Sequence, residues 1–241
     1  MENRKTYAQV LHLPARSIRP GRPPAPDSLR PCLTDLHVTR PGDPAATGFV
    51  LSLLAPGEGP VLWVQDHGSR RDCGRLHMPG LRTFGIDRAV LQVRVNHPRD
   101  VLWAMEEGAG CAGLSAVVGE LQGTPAALDF TATKRLAIRA EASGVPVYLI
   151  RNGDPGGLSA ARARWRIASL PSQAHPHDPL APGAPRWDAD LFKVRGHAPG
   201  HWVARYDSDA PRIADRLDLA SRSDAGTLDR DDPAIPDAAG G

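Results

Sequence analysis

Between residues 32 and 206 the apolar positions fall into two kinds of run. Some are short and almost wholly apolar: Leu36-His37-Val38, Pro60-Val61-Leu62-Trp63-Val64, Ala89 to Val95, Leu114 to Leu121 and Val145 to Ile150. Such runs predict strands buried on both faces. Between them lie stretches of helical period. Ala45 to Leu54 suits a buried helix. Pro98 can occupy a first helical turn, where its missing N–H costs nothing, and Val101, Leu102, Met105 and Ala109 then share one face. Leu128, Ala132, Leu136 and Ala140 recur every four residues in a helix over Thr131 to Ser143 that Gly144 stops. Strands alternating with such helical units predict an α/β fold: a mostly parallel central sheet with helices on both faces. After residue 150 the period changes to two. Ala161 to Ile167 alternates strictly, and Pro185 to Arg195 with His201 to Tyr206 predicts a hairpin, so the sheet should end in an antiparallel extension.

Composition narrows the choice of function. The 241 residues carry 29 Lys plus Arg against 27 Asp plus Glu, a net of +2, which argues against wrapping nucleic acid by bulk charge. No apolar run reaches membrane-span length and the first residues lack an apolar signal core, which predicts a cytoplasmic protein without membrane contact. Cys32, Cys73 and Cys111 are too scattered for a disulfide framework or a zinc ribbon. The charge is uneven. Residues 1–31 hold six cations, two acids and six of the prolines, and read as a flexible lead-in. Residues 207–241 hold nine Asp and four Arg and read as an acidic, disordered tail whose deletion from residue 210 should leave stability nearly intact. One domain, 32–206, remains between them. His175-Pro176-His177-Asp178 has no companion ligands, so no metal site is predicted.

Six strings carry a family resemblance. They are Gly74-Arg75-Leu76-His77-Met78-Pro79-Gly80-Leu81, Phe84-Gly85-Ile86, Ala104-Met105-Glu106-Glu107, Ala116-Val117-Val118-Gly119-Glu120-Leu121, Leu128 to Leu136 and Ser159 to Ile167. In this order, from about Leu33 to Tyr206, the chain resembles the ImuA family, which is similar to RecA and more loosely to the cell-division inhibitor SulA. The resemblance implies a RecA-like P-loop fold. It also implies a part in SOS-induced translesion synthesis, with RecA, an ImuB-type inactive polymerase relative and an error-prone polymerase as partners; a weak DNA contact rests only on the alternating arginines described below.

An active RecA-like ATPase needs GxxxxGK[ST] after its first strand, so that backbone N–H groups, Lys and Ser/Thr hold the phosphates and Mg²⁺. The matching stretch is degenerate. It runs Pro41, Gly42, Asp43, Pro44, Ala45, Ala46, Thr47, Gly48, with Ala46 for the second Gly, Thr47 for Lys and Gly48 for the metal ligand. Gly119 takes the place of the metal-positioning acid, Asp66 stands as a vestige of the catalytic acid, and Arg151 is near the phosphate-sensing Gln. No catalytic residue and no cofactor are therefore expected, and the favoured role is a non-catalytic adaptor or regulator. A DNA-stimulated ATPase and a SulA-like inhibitor of a partner's polymerisation are the alternatives. Arg162, Arg164 and Arg166 alternate along one strand. They are either a face for nucleic acid or a partner protein, or a row paired to acids such as Asp188 and Asp190.

Overall fold

A computed structural model describes residues 32–38, 40, 42–54, 59–154, 156–178, 180–210 and 215–221. The expected lead-in, residues 1–31, lies outside these, as does most of the expected tail. Five parallel strands form one end of the sheet: β1 (Leu33–Val38), β2 (Val61–Gln65), β3 (Val90–Arg94), β4 (Ala116–Gln122) and β5 (Val147–Asn152). A sixth, β6 (Ala163–Leu170), runs parallel to β1. Then β7 (Arg186–Val194), β8 (Gly200–Tyr206) and β9 (Leu217–Ser221) add as antiparallel neighbours. The spatial order is β3-β2-β4-β5-β1-β6-β7-β8-β9. This is the α/β architecture that the periodicity predicts, antiparallel extension included.

Both faces are covered because both sets of alternate side chains are apolar. On one face α1 (Ala45–Leu53) packs over β1, β5 and β6, with Phe49, Trp63, Trp165 and Trp202 in its core. On the other, α4 (Pro98–Ala109) covers β2 and β4, and α5 (Phe130–Ser143) covers β1 and β5, around Met105, Val117, Leu136 and Leu149. Pro98 sits in the first turn of α4. Asp129 caps α5 by accepting from the Ala132 N–H at 2.7 Å, and Gly144 ends it with φ +77.

Short elements join these layers. α2 (His67–Cys73) follows β2 directly, and α3 (Met78–Leu81) leads into a 3₁₀ turn at Arg82–Phe84. β9 corrects the expected domain end at Tyr206. Leu217 is buried, Leu219 packs on the same core, and the strand pairs with β8 from Trp202 to Tyr206. None of the helices among the described residues is long and apolar enough to cross a membrane.

Candidate functional site at the carboxyl ends of the strands

The loop from β1 into α1 ends the first strand at the edge where open α/β sheets usually bind ligands. Pro41 lies outside the described residues, and Gly42 turns the chain with φ +74. Asp43 then takes one first-turn donor and both donors of Ser169 for itself. Its Oδ1 accepts from the Ala45 N–H at 2.9 Å and the Ser169 hydroxyl at 2.6 Å, and its Oδ2 accepts from the Ser169 N–H at 2.8 Å. A carboxylate of the chain thus sits at the positive end of α1 and ties it to β6. Ala46 is fully buried, and Gly48 gives room to Trp187, whose ring would lie 2.9 Å from a Cβ there. Thr47 and Gly48 line a cavity of about 400 Å³ that also reaches Gln65, Glu120 and Trp187.

Glu120 lies at the floor of that cavity on β4, 2 % exposed. It accepts from the Trp63 indole N–H at 2.7 Å and the Gln65 amide at 3.0 Å. Burial pushes its pKa up to about 7, against the lowering effect of those two donors. Gly119 beside it is set by packing, because a Cβ there would collide with the sulfur of Met105 on α4. Asp66 is the N-cap of α2. Its Oδ1 accepts from the Ser69 N–H at 2.7 Å, while the Ser69 hydroxyl donates to the Glu120 carbonyl at 3.0 Å. The Asp66-x-x-Ser69 spacing is the sequence signal that could have disclosed α2.

Beside this lies a buried ionic cluster that sequence reasoning missed. Arg151 donates to Asp35 at 2.9 Å and to Asp154 at 2.6 Å, all three being buried. Arg164 donates to His37 at 3.1 Å and to the Gly157 carbonyl at 2.8 Å, with its Nε 3.5 Å from Asp35. Burial, opposed by Asp35, lowers the His37 pKa to about 4, so the ring is a neutral acceptor for Arg164.

The three arginines therefore do not form one exposed row. Arg162 precedes β6 and pairs with Glu141 on α5 at 2.6 Å. Arg164 is 5 % exposed because the parallel register sets it beside Asp35 of β1. Arg166 is half exposed, paired with Asp190 at 3.0 Å, its guanidinium 4.0 Å from the Phe192 ring centre. Of the two acids expected as partners, Asp190 pairs with Arg166, and Asp188 lies 2.6 Å from His201. Among the described residues no group of three or more His, Cys, Asp or Glu is placed to hold a metal ion.

These features define an α/β protein whose strand–loop–helix corner is closed by its own carboxylate and whose neighbouring strand ends are locked by buried ion pairs. No family model matches the chain. It is 35% identical over 173 residues to the protein ImuA of Caulobacter vibrioides strain NA1000 / CB15N, across 66% of each chain. The same figures hold for ImuA of strain ATCC 19089 / CIP 103742 / CB 15. The chain belongs to the ImuA family.

Proposed function

We infer that this chain is a non-catalytic accessory protein of SOS-induced translesion synthesis, built on a RecA-like scaffold. It acts as an adaptor or regulator between an ImuB-type polymerase relative, RecA and an error-prone polymerase. Family membership supports the place in the ImuA–ImuB mutagenesis system. The observation that carries the non-catalytic part is Asp43. Its carboxylate occupies the Ala45 and Ser169 donors in the strand–loop–helix corner where a triphosphate would need N–H groups and a lysine. Binding an anion there would bring negative charge against a fixed carboxylate, with Thr47 in place of the neutralising lysine. The second switch position points the same way, since Arg151 is held by Asp35 and Asp154 and has no unpaired role left.

ATP turnover by the purified chain tests this reading. It should not rise above the protein-free rate, with or without single-stranded DNA. DNA-stimulated hydrolysis that survives further purification would establish the ATPase alternative instead.

A further inference from the structure

The cavity beside the Asp43 corner has apolar walls and a charged floor. Leu51 of α1, Leu81, Phe84 and Trp187 line the walls. Its volume of about 400 Å³ falls within the roughly 300–1,000 Å³ usual for small-molecule sites. Glu120 stands at the floor, 2 % exposed. Both donors to its carboxyl, the Trp63 indole and the Gln65 amide, are neutral. None of the ion pairs among the described residues includes Glu120. Asp66, just beyond β2, opposes its ionisation further. A carboxylate offers about four acceptor sites, of which these donors take two. Glu120 therefore has spare acceptor capacity and no counter-charge, and a buried charge of that kind is costly until a cation joins it. The positive end of α1, which would otherwise draw an anion, is already met by Asp43.

We propose that this cavity binds a monovalent organic cation, an ammonium or guanidinium group on an apolar stem, with its charged end on Glu120 and its stem against Leu51, Phe84 and Trp187. Each part of that ligand answers a feature of the site. The cationic N–H groups meet the acceptor sites that Trp63 and Gln65 leave open. The stem removes apolar wall from water, and the rings of Phe84 and Trp187 add faces that attract a cation. An anion is repelled by Glu120, and a neutral molecule leaves its charge unmet. Cys73, Arg75 and His77 are the other titratable groups lining the cavity. Burial pushes the Cys73 thiol up to about 11, so it stays neutral. Arg75 and His77 are exposed, where water and salt screen them. The ligand competes with the proton that Glu120 holds up to about pH 7. Binding should therefore weaken about tenfold per pH unit below 7 and level off above it. This site is independent of the accessory role, since it needs only the cavity and Glu120.

Titration of the full chain with benzamidine, phenethylamine and a blocked tripeptide with a central arginine, followed by tryptophan fluorescence and calorimetry at about pH 8, where Glu120 is ionised, is the test. At least one of these cations should bind with a Kd of about 1 mM or tighter. Emission should shift on binding, because Trp63 bonds to Glu120 and Trp187 lines the cavity. Benzamide and benzoate lack the positive charge and should bind at least about tenfold more weakly. Glu120→Gln should weaken the cation by about tenfold or more and remove the pH dependence, whereas His77→Gln should leave both in place. If Glu120→Gln does not fold, Thr47→Phe, which narrows the cavity from α1, should weaken the same cation by about tenfold. Binding of the tripeptide assigns the cation to a side chain of a partner protein, and binding of the free amines alone assigns it to a small molecule. The proposal is overturned if none of the three cations binds, or if benzamide or benzoate binds as tightly. It is equally overturned by a folded Glu120→Gln or Thr47→Phe protein that binds as the wild type does.

Discussion

Asp35 and Arg164 face each other across β1 and β6, and neither is tolerable in the interior without the other. Asp35→Ala leaves Arg151 and Arg164 buried with one counter-charge between them. We expect a loss of about 3–5 kcal/mol in urea unfolding, as for other buried pairs broken on one side. An unchanged midpoint would mean that water reaches the cluster. Glu120 gives a signed pH effect. The folded chain holds its proton up to about pH 7, whereas the unfolded chain releases it near 4.5. The stabilisation from this group is complete below 4.5 and is lost as pH rises through 7. Glu120→Gln cannot ionise, so its melting temperature relative to wild type should climb between those two pH values. A constant difference would contradict the raised pKa. His37 works in the opposite sense, favouring unfolding as pH falls from 6.5 towards 4. These roles were poorly legible in the sequence. Alternation at Arg162, Arg164 and Arg166 discloses a strand, but which side chains are covered depends on β1, whose Asp35 is remote in sequence.

At the scale of elements the reading was far more complete. Buried parallel strands write themselves as unbroken apolar runs, and α4 and α5 carry both a clear apolar stripe and recognisable end signals. α2 escaped because Ser69 is its one buried residue, so it has no stripe to read. β9 escaped because Leu217 and Leu219 are set among aspartates that look like a solvated tail. Its presence reverses the expectation for truncation at residue 210. A chain ending at 210 exposes Tyr206 and loses Leu217, so it should melt lower than one ending at 221. Burial of one such leucine corresponds to about 2 kcal/mol, or roughly 4–8 °C for a domain of this size. Equal melting temperatures would show that β9 adds nothing to the core.

Across the whole molecule, the net charge is only +2, and several cations and acids among the described residues are matched in place. Arg71 with Asp72, Arg135 with Glu106, Arg162 with Glu141 and Arg166 with Asp190 are all within ion-pair distance. The β1–α1 corner and Arg151 are internally bonded. On the proposed non-catalytic role, ATP has no pair of states to bias. The most direct test is therefore a binding titration of the labelled chain against the ImuB-type protein and against RecA, each with and without ATP and Mg²⁺. The account predicts binding to at least one of them, with affinities that agree within about twofold across the two conditions. An ATP-dependent gain of about tenfold or more, or no binding to either protein, would contradict it.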